Sequence, residues 1–358
     1  MAIKARKIEK ERIKGAELEA VIFDLLSFFP PKNQEIVKRR FGLSGKAGET
    51  LEAIGKDYGI TRERVRQIEA VTLKSLKESA AIKKLDLFEE AISEVLSGLG
   101  GIAEETKLLR NVLGEDFSLP AYQHCALFVL HLSDKFFDFS ENQNFNRAWT
   151  MKRGFFKRSQ AVIYAAKKIL AELGEPVSFD ALYEKIDAAS VPTDDLGPDA
   201  IQSYLSVSKE VTSNLYQDWG LFAWSEINPR GVKDKAFMVL KRAGQPLHFQ
   251  KITGLINQNK FDNKQAHAPT VHNELIKDSR FVLVGRGIYG LKSWGYRPGT
   301  VKEIIADILA RAKKPMPREK IVDLVLKQRM VRRSTVLLNL QDDSLFNRGN
   351  NGEVGLRA

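Results

Sequence analysis

The chain has 358 residues, enough for two to four domains, and 43% of them are apolar, which excludes a wholly disordered chain. Its formal net charge of +11 and pI near 9.5 favour a polyanionic partner, nucleic acid before an anionic membrane surface. One cysteine, Cys125, excludes an intrachain disulfide and a cysteine-based zinc site, and no stretch approaches the ~18 continuous apolar residues of a membrane span. A reducing, cytoplasmic setting with no membrane contact is the expectation.

The opening MAIKARKIEKERIKG is basic with charges of alternating sign. It lacks the apolar run of a secretory signal and reads as a solvated helix or a loose arm. Residues 1–84 hold 19 lysines and arginines against 12 carboxylates, a surplus of +7 that reads as a nucleic-acid surface. Within them, TLEAIGKDYGITRERVRQIEAVTLKSLKE (Thr50 to Glu78) predicts two helices across a tight turn. Thr50 caps the first, with Glu52 in its first turn. Gly59 supplies the left-handed residue that ends it, and Thr61 caps the second. Ile54, Tyr58, Ile60, Val65 and Ile68 fall where the two helices face each other, and Gly55 is small where they approach. Arg62, Glu63, Arg66 and Gln67 remain outside, on the first turns of the second helix. In a helix-turn-helix those turns touch base edges. Arginine offers paired donors to guanine, glutamine pairs with adenine, and glutamate accepts from the cytosine amino group.

Residues 85–158 predict a helical connector. Leu87, Phe88, Ala91, Ile92, Val95, Leu96 and Leu99 form one amphipathic stripe, ended by Gly98, Gly100 and Gly101. Ala121 to Leu132 is apolar nearly all round and so reads as buried, with Cys125 as core filling. Phe136, Phe137, Phe139 and Phe145 read as core or a docking surface.

The remainder repeats. LAELGEPVSFDALYEKI, LKRAGQPLHFQKITGLI and LARAKKPMPREKIVDLV each place a proline, Pro176, Pro246 or Pro315, between two helices. Each then closes on a strand-like tail: WGLFAWSE, GRGIYGLKSW or NGEVGLRA. Three tandem winged helices, over 159–228, 229–297 and a degenerate 298–358, are the economical reading. The fold class expected is mainly α and multi-domain: an N-terminal helix-turn-helix over 1–84, a helical middle segment over 85–158, then winged-helix units with short β-hairpin wings.

PPKNQEIVKRRFGL (Pro30 to Leu43) followed by Thr50 to Lys77 resembles region 4 of sigma-70 family transcription initiation factors, over roughly residues 20–78. The resemblance implies that Arg62, Glu63, Arg66 and Gln67 contact an upstream (−35) promoter element. It also implies that Thr50 and Leu51 lie near the phosphate backbone, and that the domain docks on the beta-subunit flap of RNA polymerase. Val71 stands where the family often has lysine, which alters the sequence preference. Nothing resembles the region that opens the −10 element, so strand opening by this chain alone is not expected. Val232 to Tyr296 resembles the HARE-HTH winged helix, a fold also found in the delta subunit of bacterial RNA polymerase. That implies a DNA- or polymerase-binding module without catalytic residues.

Competing chemistry finds little support. His124, His131, His248, His267 and His272 are scattered, and there is no phosphate loop and no serine-nucleophile motif. GRGIYG lacks the following helix of a dinucleotide fingerprint and reads as a hairpin turn. Asp194 and Asp195 read as solvated. No catalytic residue, metal site or cofactor is expected. The function expected is that of a bacterial transcription factor partnered by double-stranded DNA and RNA polymerase. The alternatives are a polymerase-binding competitor of sigma factors that does not read DNA, and the DNA-targeting part of a restriction or modification system.

Overall fold

Four helices begin the described chain, which in this computed structural model comprises residues 13–189, 191, 196–349 and 352–357. The arm before Ile13 and the pair Asp194 and Asp195 lie outside the described residues. Helix α1 (Gly15–Ser27) buries Leu18, Ile22, Leu25 and Leu26 at helical spacing. Helix α2 (Pro31–Phe41) starts on Pro31, whose fixed φ suits a first turn, and ends on left-handed Gly42. Helices α3 (Leu51–Tyr58) and α4 (Arg62–Glu78) follow, capped by Thr50 and Thr61 as their sequence implies.

The long helices share a core across residue 84. Leu18, Ile22, Leu25 and Leu76 belong to one buried cluster with Ile92, Leu96, Leu108, Phe128 and Trp149. The helix-turn-helix has a smaller core of its own, Ile36, Ile54 and Val65, with Leu51, Tyr58, Ile60 and Ile68 packed around it.

The rest of the described chain repeats one element order, helix–strand–helix–helix–strand–strand, in full three times and once, in the second set, with a single β-bridge in place of the first strand. The middle segment is helical, with α5 (Asp86–Gly98), α6 (Glu105–Leu113) and α7 (Pro120–Leu132). It also carries three strands that its periodicity does not announce: β1 (Ile102–Glu104), β2 (Phe137–Phe139) and β3 (Ala148–Thr150). Next come α8 (Arg153–Leu173), α9 (Phe179–Asp187), α10 (Pro198–Ser206), β4 (Val211–Ser213) and β5 (Trp219–Leu221). The third set is α11 (Val232–Ala243), β6 (Leu247–His248), α12 (Phe249–Asn259), α13 (Ala268–Lys277), β7 (Phe281–Gly285) and β8 (Ile288–Leu291). The fourth is α14 (Val301–Ala312), β9 (Met316–Pro317), α15 (Arg318–Gln328), α16 (Arg333–Asn339), β10 (Phe346–Arg348) and β11 (Glu353–Leu356).

In three of the sets the last strand lies in the middle of an antiparallel sheet, in the orders β1-β3-β2, β6-β8-β7 and β10-β11-β9. The second set reproduces this through β4-β5 and a bridge from Val177 to Trp219. This is the winged-helix arrangement. A left-handed residue follows the first helix each time, at Gly100, Gly174, Gly244 and Lys313. Three positions later stands a residue of the short pairing segment: Ala103, Val177, Leu247 or Met316. In the first three sets the next side chain, that of Glu104, Ser178 or His248, caps the following helix.

The chain divides into two compact bodies, residues 1–213 with 217–222, and residues 214–216 with 223–358.

Candidate nucleic-acid interface

Backbone geometry at the α3–α4 turn depends on two glycines. Gly59 adopts φ +63°, and the Ile60 amide donates to the Gly55 carbonyl at 2.9 Å. A β-carbon on Gly55 would lie 2.6 Å from the Ile60 carbonyl oxygen, so only glycine lets the turn close on the helix. The caps are made by side chains: Thr50 Oγ1 accepts from the Ala53 amide and Thr61 Oγ1 from the Arg64 amide, both at 3.2 Å. Deeper in, Asn33 on α2 donates to Thr72 Oγ1 at 3.3 Å, and Thr72 in turn donates to the Ile68 carbonyl. Arg39 forks across Glu49 and reaches Asp57, each contact at 2.5 Å at its shortest. Its guanidinium holds the Glu49 carboxyl below the usual carboxylate range. These bonds fix α4 on a rigid frame with its first turns facing outward.

The candidate reading residues sit there. Arg62, Glu63, Arg64, Arg66 and Gln67 are all exposed, while Val65 between them is fully buried. Arg66 grips Glu63 with two parallel hydrogen bonds of 2.8 and 2.7 Å. The pairing pushes the Glu63 carboxyl down and the Arg66 guanidinium up. Arg64 donates to Gln67 Oε1 at 3.3 Å. The fork of Arg66 is thus held extended by a neighbour one turn away, and both groups are exposed enough for the pair to open at little cost. Val71 lies on the same outward face, 62% exposed. An apolar group there suits a thymine methyl, where a lysine would favour phosphate or guanine.

Thr50 is exposed at the start of α3. The Leu51 side chain packs into the helix-turn-helix core. Arg64 was not among the residues singled out from the sequence. Its side chain shares the outward turn, and its amide completes the Thr61 cap.

Four of the five histidines serve the fold. His124 Nδ1 lies 2.7 Å from the Gly42 carbonyl, and His131 stands edge-on to Trp149, where burial lowers its pKa. His248 caps α12, and His272 stacks on Phe249. Burial pushes the Cys125 thiol up to about 12, so it holds no thiolate at neutral pH. Among the described residues no group of three or more histidine, cysteine or carboxylate side chains is placed to hold a metal, and no helix is long and apolar enough to cross a membrane.

A signal the opening charge count passes over is its distribution beyond residue 84. Residues 85–228 hold 12 cations against 22 carboxylates, a deficit of −10. Residues 229–297 hold 13 against 4, a surplus of +9, larger than that of the helix-turn-helix region.

Comparison with known proteins matches residues 25–78 to the family described as sigma-70, region 4. Residues 230–294 match the HARE-HTH family, whose description includes the restriction endonuclease HTH domain. The RNA polymerase sigma factor SigA of Clostridium acetobutylicum is 38% identical over 68 residues, which is 19% of this chain and 18% of the relative. An RNA polymerase sigma factor SigA from a Bacillus species is 38% identical over 73 residues, 20% of this chain and 19% of that protein. The chain therefore spans about a fifth of the length of these relatives. The chain joins a sigma-70 region 4 domain, with the α3–α4 pair inside it, to a HARE-HTH domain.

Proposed function

We propose that this protein is a cytoplasmic transcription factor that reads a −35-like promoter duplex through α4 and docks on RNA polymerase. The observation that supports this most directly is the outward placement of Arg62, Glu63, Arg66 and Gln67 on a capped and braced α4, within residues matched to sigma-70 region 4. The matched relatives are named as RNA polymerase sigma factors, which makes the polymerase flap the natural protein partner. The chain acts by binding, with no chemical step of its own, and the promoter-opening parts come from elsewhere.

Duplex binding measured by fluorescence anisotropy tests the reading. Affinity should fall steeply with salt as lysines and arginines displace counterions from phosphate. Arg66→Ala should lower discrimination between promoter and scrambled duplexes by about 1–3 kcal/mol. Recovery of polymerase from lysate with no binding to promoter duplex would instead identify a competitor of sigma factors that does not read DNA.

A further inference from the structure

The first two winged-helix units turn their third helices inward. Helix α7 packs on α1, and α10 packs on β1, where Ser203 donates to the Ile102 carbonyl at 2.8 Å and Tyr204 to the Gly100 carbonyl at 2.7 Å. The long helix left with an open face is α8, which lies outside both family matches, 25–78 and 230–294. One side of α8 is buried through Ser159, Val162, Ile163, Ala166 and Leu170. On the other side Arg153, Lys157, Gln160, Tyr164, Lys167 and Lys168 are all exposed. At about 100° per residue these six fall within an arc of about 100°, and they run for about 22 Å along the helix axis.

The charge of this face stands against that of its surroundings. Residues 142–171 hold 7 cations and no carboxylate, while the remainder of 85–228 holds 5 cations against 22 carboxylates. A solvated helix face ordinarily mixes its signs, with opposite charges one turn apart. Here no carboxylate stands on α8 before Glu172. Of the four cations on the face, only Lys167 has a carboxylate partner among the described residues, Glu210 at 2.6 Å. Aromatic rings lie among these cations. Tyr164 stands within the stripe and is 72% exposed. At the start of the helix the Arg153 guanidinium lies 5.4 Å from the centre of the Phe137 ring, and both line a cleft of about 340 Å³. The two carboxylates of that cleft are already paired, Asp134 with Lys77 at 2.7 Å and Asp138 with Arg147 at 3.3 Å.

We propose that this face of α8 binds a single strand of nucleic acid, with Arg153, Lys157 and Lys168 on its phosphates and Tyr164 stacked on a base. The unpaired cations supply the attraction to phosphate. A carboxylate-rich peptide would satisfy the cations alone, whereas every base also offers a π-face to an exposed ring. A duplex keeps its base faces stacked inside, so the ring selects a single strand and sets this surface apart from the duplex reading assigned to α4. The inference does not depend on α4 reading DNA.

The test uses the full chain in anisotropy titrations with labelled oligothymidylate and oligouridylate of about 12 residues, a length within the range that single-strand binding surfaces cover. Both strands should bind, and the tighter of the two identifies the strand as DNA or RNA. Tyr164→Ala should weaken binding by about 5- to 150-fold, and Tyr164→Phe, which keeps the ring, should stay within about twofold of the parent. Lys157→Ala combined with Lys168→Ala should reduce the slope of log affinity against log salt by about 1.4, so that the loss of affinity between about 50 and 200 mM salt shrinks by about 7-fold. Promoter-duplex affinity should be the same in Tyr164→Ala as in the parent. The proposal is overturned if Tyr164→Ala binds both oligonucleotides as the parent does, whether or not the lysine variant is weakened. It is equally overturned if polyglutamate binds with the same lysine dependence while neither oligonucleotide binds, which would make the face a site for an acidic protein. If the promoter duplex fails to bind while the oligonucleotides bind and respond to Tyr164→Ala, the α4 reading fails and the α8 surface stands.

Discussion

Helices α10 and α13 hold the same place in two copies of one topology and meet opposite fates. Five of the nine residues of α10 are buried, Ala200, Ile201, Ser203, Tyr204 and Leu205, against two of the ten in α13. The difference comes from what stands opposite. Gly100 and the edge of β1 offer α10 a flat backbone with accepting carbonyls, and α10 answers with hydroxyls at the right spacing. Helix α13 presents Thr270, Asn273 and Lys277 outward, with Ile276 62% exposed beside them. Topology therefore does not assign function within this chain. The side chains on the third helix decide whether it is buried against a neighbouring unit or left exposed.

The most severe test of that contrast is Gly100→Ala beside Gly244→Ala. Both glycines follow a first helix at positive φ, +79° and +64°. A β-carbon at Gly100 would lie 2.8 Å from Ala200 Cβ and 2.9 Å from the Tyr204 ring, whereas nothing lies within 4 Å of one at Gly244. Gly244→Ala should cost only the conformational term, about 1–2 kcal/mol. Gly100→Ala should cost about 2–4 kcal/mol, because overpacking adds to it. Urea midpoints of the two variants measure the difference. Equal losses would show that α10 is not seated on Gly100.

A smaller effect is expected one residue along the same joint. Ser203→Ala leaves the buried Ile102 carbonyl without its side-chain donor and should cost about 1–2 kcal/mol in the same assay. Asn273→Ala, on the exposed face of α13, should stay within about 0.5 kcal/mol of the parent. A loss at Asn273 as large as that at Ser203 would mean that α13 also serves as a joint.

The helix-turn-helix was legible in the sequence because its determinants are local. Thr50, Gly55, Gly59 and Thr61 act within one turn of themselves, and the apolar positions between them follow helical spacing. The winged helices at 232–291 and 301–356 were legible because a proline recurs before each second helix. The unit at 86–150 was not, because Ile102 stands where Pro176, Pro246 and Pro315 stand in the later units. Its strands are three residues each, and β1 pairs with β3 across more than forty positions, Ile102 with Thr150 and Ala103 with Trp149, a distance no local pattern spans. The covering of α7 and α10 is likewise a matter of tertiary contact. The charge split between residues 85–228 and 229–297 was in the sequence throughout, and it marks the same division.

The gentlest probe of the α10 joint is pH. Lys107 on α6 donates to Gln202 on α10 at 3.4 Å, in a polar cleft of about 300 Å³ lined also by Asn146, Ser206, Ser208 and Thr212. Burial pushes its pKa down from 10.5 to about 8, against the pull of Asp199 and Glu104. Between about pH 8 and 10.5 the unfolded chain therefore holds a proton that the folded chain has released, and stability rises with pH across that window. Below about pH 8 both states are protonated and the joint carries a partly buried charge. Lys107→Met removes that charge. The variant should gain most over the parent at neutral pH, and its advantage should shrink steadily from about pH 8 to 10.5 in urea midpoints. An advantage independent of pH would show that the ammonium is fully hydrated, and that the cleft under α10 is open to water in a way the packing of Ser203 and Tyr204 does not allow.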